Sequence, residues 1–166
     1  MELKEALKTA LDFEQKGQKI YEKAAKKTLN PIVKRTFTYL AGQEVNHIRE
    51  IKEFMKKEVP DVKLEGDRIE DVRKFFTMTT KEFKEKTRLS DDDIKAHETA
   101  LALEKSSYDF YEIRLSQSMD DMTKKFFRFL MDQEEAHYEL VQKAYHFIKD
   151  PTAFYSEEEG WIAEGG

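Results

Sequence analysis

Along four long stretches of the chain, apolar residues recur at alternating intervals of three and four, the spacing of a helical seam packed against other helices. The first seam runs Leu3, Leu7, Ala10, Glu14, Gly17, Tyr21, Ala24, and the second Val33, Phe37, Leu40, Glu44, His47, Ile51, Met55. The third runs Ile94, His97, Leu101, Glu104, Tyr108, Tyr111, Leu115, and the fourth Phe127, Leu130, Glu134, His137, Val141, Ala144, Ile148. Pro31, Pro60 and Pro151 stand at the edges of these stretches and punctuate them. The pattern predicts helices from about Glu2 to Leu29, from Pro31 to about Val59, from the Ser90–Asp93 cap to about Met119 and, after a turn at Asp120-Asp121, on to about Lys149. Asn30-Pro31 forms the first turn, with Pro31 suited to the start of the second helix. Ser90 and Asp93 resemble a capping box for the third, with Asp in place of the usual Glu or Gln. Between about 60 and 90 the pattern supports at most short helical pieces, in which Ile69, Val72, Phe75 and Phe76 share a face. The expected fold is all-α: a four-helix bundle of two antiparallel hairpins joined by one long crossover, filling residues 1–149 and leaving 150–166 as a C-terminal tail.

Each seam is apolar except near its middle, where carboxylates and imidazoles intrude. Those intrusions are duplicated at a constant shift of 90 positions: Glu14 matches Glu104, Tyr21 matches Tyr111, Glu44 matches Glu134 and His47 matches His137. Phe37 and Phe127, Leu40 and Leu130, and Gln43 and Gln133 obey the same shift. An internal duplication predicts a pseudo-twofold axis between the hairpins, and a symmetric site suits two metal ions. Depth agrees, because Glu14 lies 16 residues before Asn30 and Glu44 lies 14 after it. At helical rise both sit roughly 21–24 Å from the turn, facing each other. Glu104 and Glu134 stand in the same relation to Asp120. In Glu44-Val45-Asn46-His47 and Glu134-Glu135-Ala136-His137 the i, i+3 spacing places carboxylate and imidazole on one face, so the Glu can bridge two metals while the His caps one.

Charge balance favours occupancy, since four ionised carboxylates in a dry core repel one another and each unpaired one costs several kcal/mol. Two divalent cations cancel them, whereas the alternative is a salt-bridged polar core. Tyr21 and Tyr111 are expected to donate to the carboxylates, because a buried phenol needs a partner. Gly17 and Ser107, each three residues after a Glu, are small enough to leave room for an exogenous molecule.

Composition narrows the chemistry. Cysteine is absent, which removes thiolate ligands and leaves oxygen and imidazole nitrogen. Charged residues make up 38% with a net of −5, a solvated surface of mixed sign rather than a basic nucleic-acid footprint. The N-terminal residues lack the apolar run of a signal peptide and no stretch reaches membrane-spanning length, so a cytoplasmic protein without a membrane or nucleic-acid partner is expected.

One Glu from each of two helices with Glu-x-x-His from each of the others is the ligand arrangement of ferritin-like di-iron and di-manganese proteins. With the Tyr seven residues after each lone Glu and the crossover length, the chain closely resembles the rubrerythrin family over residues 1–149, in its ferritin-like diiron domain. That resemblance implies two iron ions, bound by Glu14, Glu44, His47, Glu104, Glu134 and His137. It implies an oxidoreductase that reduces hydrogen peroxide, or dioxygen, and a homodimer or higher homo-oligomer. Rubrerythrins usually append a rubredoxin domain with four cysteines, so here electrons are expected from an external donor protein such as a rubredoxin. Family members with high peroxidase activity carry a further Glu three residues after the helix 3 Glu, where this chain has Ser107. Iron storage or delivery of the ferritin type, and a manganese catalase, use similar ligands, and ligand type alone does not select iron over manganese or zinc.

Other polar residues read as structural. Tyr108, whose duplicate is Gln18, packs. His97, whose duplicate is Leu7, packs or is partly exposed, and His146 lies at the surface. Glu98, Glu112 and Glu135 belong to solvated faces, and Phe75, Phe76 and Phe83 hold the crossover on the bundle.

Overall fold

The structure is a computed structural model that describes residues 2–56, 66, 69–82, 89–150 and 154. Five helices follow in order: α1 (Leu3–Lys27), α2 (Pro31–Lys56), α3 (Ile69–Glu82), α4 (Asp91–Gln117) and α5 (Asp121–Lys149). Among the described residues all regular structure is helical.

The hairpin turns are set by side-chain caps at duplicated positions. Asn30 Oδ1 accepts from the backbone N–H of Ile32 and Val33 at 3.0 and 3.2 Å. Its duplicate Asp120 accepts from the N–H and hydroxyl of Thr123, both at 2.9 Å. Each cap satisfies donors that the first turn of a helix leaves unpaired. The Ser90–Asp93 capping box forms as the sequence predicts, with both reciprocal bonds at 3.1 Å.

α1 packs along α2 and α4 along α5 as the two hairpins, which meet mainly through α1–α4 and α2–α5 contacts. Two apolar clusters result, one at each end of the bundle. Tyr21, Phe37, Leu40, Val141 and Ala144 belong to one, and Leu7, Ile51, Tyr111, Phe127 and Leu130 to the other. The α1–α2 turn therefore lies at the end opposite the α4–α5 turn, as a pseudo-twofold axis across the bundle requires. The polar residues of the seams fall between the clusters.

The crossover differs from expectation. α3 is a 14-residue helix rather than short pieces, and it packs on α5 and α2. Phe76 meets Phe147 and Phe154 edge-on at 6.1 and 5.5 Å, Phe75 stacks on Tyr39 at 4.3 Å, and Arg73 Nε donates to Glu139 at 3.0 Å. Phe83, the end of the second predicted helix at Val59 and all of the tail but Asp150 and Phe154 lie outside the described residues.

Some seam positions also shift. Leu3 and Met55 are 42% and 36% exposed, and Phe54 takes the inward position in place of Met55. In α4 the inward face carries Ala100 and Ser107, with the larger Leu101 and Tyr108 displaced to its flanks. No described helix is long and apolar enough to cross a membrane.

Candidate metal centre

Midway along the bundle the structure brings together all six residues singled out from the seams. Glu14 comes from α1, Glu44 and His47 from α2, Glu104 from α4, and Glu134 and His137 from α5. None is more than 2% exposed. Their donor atoms form two overlapping groups of four, Glu14–Glu44–His47–Glu134 and Glu44–Glu104–Glu134–His137, and a third of three, Glu44–His47–His137, within each of which the atoms lie inside 4.8 Å of one another. Glu44 and Glu134 belong to both groups of four. Each imidazole presents Nδ1 to the carboxylates: His47 Nδ1 is 3.1 Å from Glu14 Oε2, and His137 Nδ1 is 3.8 Å from both Glu44 Oε1 and Glu104 Oε1. The two rings stack at 5.2 Å.

The tyrosines bind across the hairpins. Tyr111 Oη donates to Glu14 at 2.7 Å, and Tyr21 Oη donates to Glu104. Burial and the surrounding carboxylates push both phenols well above their usual range, so they remain protonated donors. Each holds one oxygen of its partner; Glu14 Oε2 is left facing His47, and Glu104 Oε2 is left without a hydrogen-bond partner.

Burial, then the charges of Glu14 and Glu104 respectively, raises Glu44 and Glu134 well above the ordinary carboxylate range. Glu104 is raised by burial. Burial raises Glu14 too, but the His47 charge and hydrogen bonds from Glu44, His47 and Glu134 outweigh it and hold Glu14 low. His47 rises against its own burial, because Glu14 is close. Its duplicate His137 falls to about 3 under burial and the His47 charge. The duplicated imidazoles thus titrate in opposite directions, and the cause is geometric: only His47 has a carboxylate at hydrogen-bond distance.

These residues fit a dinuclear metal site. Glu104 Oε2, Glu134 Oε1 and His137 Nδ1 are buried without a hydrogen-bond partner, an arrangement that is expensive unless a cation completes it. The carboxylate and imidazole donors suit divalent first-row metals, and two such ions balance the four carboxylates.

Gly17, Ser107 and His146 sort differently from the sequence expectations. Gly17 does not leave open room: a Cβ there would sit 3.3 Å from Glu44 Cδ and 3.4 Å from Leu103 Cδ2. Ser107 is buried with its hydroxyl donating to the Leu103 carbonyl at 3.0 Å. His97 packs, the first of its two expected placements, fully buried with Nδ1 donating to the Asp93 carbonyl at 2.7 Å and the ring edge-on to Phe37 at 5.0 Å. His146 is half-buried, with Phe154 edge-on at 5.6 Å. Glu98, Glu112 and Glu135 are exposed as expected. Glu50, one turn beyond His47, escaped the sequence reading; it is 1% exposed, and its charge contributes to raising His47. Its helical spacing from His47 was the available signal, hidden because its duplicate position is Leu140.

Helical hairpins around a buried carboxylate–imidazole centre define a ferritin-like protein with a dinuclear metal site. The family model described as Rubrerythrin matches residues 5–145, and the chain belongs to that family. No curated protein and no solved structure matches the chain.

Proposed function

We propose that the chain is a di-iron oxidoreductase that reduces hydrogen peroxide, and dioxygen less readily, with electrons from a separate donor protein such as a rubredoxin. Glu44 and Glu134 would be the shared ligands, with Glu14 and His47 completing one ion's set and Glu104 and His137 the other's. The observation that carries this reading is the pair of overlapping donor groups with Glu44 and Glu134 common to both. Membership of the rubrerythrin family supports the choice of iron and peroxide.

Bound iron would supply the two electrons that, with two protons, convert peroxide to two waters. The protein's own part is to position and to exclude. Tyr21 and Tyr111 fix the outer oxygens of Glu104 and Glu14. The apolar clusters at either end keep water from the centre along the bundle axis. Ser107 turns its hydroxyl to the helix backbone, so it adds no ligand in place of the family's extra Glu. Family membership also supports homodimeric or higher assembly.

Elemental analysis of natively purified protein, combined with stopped-flow mixing of the di-ferrous form with peroxide, tests the proposal. Two irons per chain and oxidation by one peroxide per pair, faster than by dioxygen, are expected. Absence of a peroxide reaction with many irons accumulating per chain would replace this reading with iron storage, and native manganese with peroxide disproportionation would replace it with a catalase.

A further inference from the structure

Six fully buried ligands need a path by which metal reaches them. Between α4 and α5 lies a pocket of about 260 Å³ lined by Glu104, Lys105, Tyr108, Glu134, Glu135 and Tyr138. Liquid water occupies roughly 30 Å³ per molecule, so a cation can enter this space with part of its hydration shell. Two of the lining residues belong to the centre. Each carries a buried oxygen without a hydrogen-bond partner, Glu104 Oε2 and Glu134 Oε1.

The duplication breaks at this pocket. Glu104 and Glu134 keep their duplicates Glu14 and Glu44, but the other four lining positions all differ. Lys105, Tyr108, Glu135 and Tyr138 correspond to Gln15, Gln18, Val45 and Ile48, which carry no charge. The centre is therefore symmetric in the residues that would bind metal, while the other residues lining the pocket are not repeated. The charge of that approach is negative. Tyr108 is raised by burial and by the carboxylates of Glu112, Glu135, Asp132 and Asp109 around it. Lys105 pairs with Asp109 at 3.3 Å, so those two charges offset each other and Glu112, Glu135 and Asp132 carry the negative charge near Tyr108.

We infer that the pocket between α4 and α5 is the loading port of the centre, through which divalent metal ions pass by way of Glu135, Tyr108 and Tyr138 to Glu104 and Glu134. The inference rests on the ligand assignment proposed above and is independent of peroxide reduction. A cleft lined by one sign of charge raises the local concentration and association rate of its counter-ion, an effect that salt screens. Once a cation arrives, the free oxygens of Glu104 and Glu134 are the first donors it meets.

Cobalt(II) is the probe: stopped-flow visible absorbance follows its uptake by metal-free full-length protein, and equilibrium titration gives stoichiometry and affinity. Glu135→Lys should slow uptake about three- to tenfold at low ionic strength, with much less slowing at 0.5 M salt and nearly unchanged affinity. Glu135→Gln should slow it less, and Lys105→Gln should accelerate it. Val45→Lys, at the exposed duplicate position, should leave uptake unchanged. Uptake by Glu135→Lys at the wild-type rate, or equal slowing by Val45→Lys, would overturn the port while leaving the ligand assignment intact. Failure of the wild-type protein to bind two cobalt ions would overturn both.

Discussion

Tyr21 donates its hydroxyl to Glu104 and its duplicate Tyr111 donates to Glu14, so each hairpin orients a carboxylate of the other. Partners of this kind typically contribute 10–100-fold in metal affinity or activity. Tyr21→Phe and Tyr111→Phe should each weaken metal binding by about that range while the fold persists, because the ring remains and only the donor is lost. Competition titration against a chelator checks this, and wild-type affinity in both variants would assign the tyrosines to packing.

In the proposed centre Glu44 and Glu134 would be shared, which would make the two ions interdependent. Glu44→Ala or Glu134→Ala should remove a bridge and weaken both ions together, as measured by elemental analysis at graded free metal. Loss of one ion with the affinity of the other unchanged contradicts a shared site.

Protons compete with metal at this centre. Glu44 and Glu134 are held above the carboxylate range and His47 above the imidazole range, so metal must displace protons from them. His137, at about 3, is already neutral and contributes none. Affinity should therefore rise with pH, and titration calorimetry in buffers of different ionisation enthalpy should report proton release. The metal-free fold follows the same signs. Raised Glu44 and Glu134 withdraw stability as pH climbs above the ordinary carboxylate range toward their folded values. Lowered His137 withdraws it as pH falls through 6.5 toward about 3. The gap in Tm between metal-loaded and metal-free protein should widen from about pH 5 to about pH 8; a constant gap would contradict the linkage.

Gly17 lies against the Glu44 carboxylate. Gly17→Ala adds about 0.5–1 kcal/mol of helix propensity, but the new methyl 3.3 Å from Glu44 Cδ must displace that side chain. Metal affinity should fall several-fold while the metal-free Tm holds or rises. A variant with unchanged affinity would show that Glu44 has slack.

Ser107 occupies the position of the family's extra Glu, one turn from Glu104. Ser107→Glu should raise peroxide turnover with a suitable donor, measured under steady-state conditions. A lower rate would mean that the longer side chain fills the space substrate needs.

The residues of the centre were legible because duplication repeats them at one fixed shift, and the first turn because Pro31 punctuates the helical pattern. α3 was less legible. Thr77, Thr79 and Thr80 lower its helix propensity, yet they are buried, with Thr79 and Thr80 returning their hydroxyls to the carbonyls of Phe75 and Thr77. The α4 face was misjudged by a fraction of a turn, because a seam read by apolar size favours Leu101 and Tyr108 over Ala100 and Ser107. Close approach is invisible in sequence, so Gly17 looked like open room. The pocket was hidden for the opposite reason, since its distinguishing residues are those the duplication does not repeat.

Anomalous diffraction at the iron edge from crystals of the iron-loaded protein tests the central claim most directly. Two peaks are expected, both in contact with Glu44 and Glu134, one also bound by Glu14 and His47 and the other by Glu104 and His137. A single peak, or iron bound away from Glu44 and Glu134, would contradict a shared dinuclear centre.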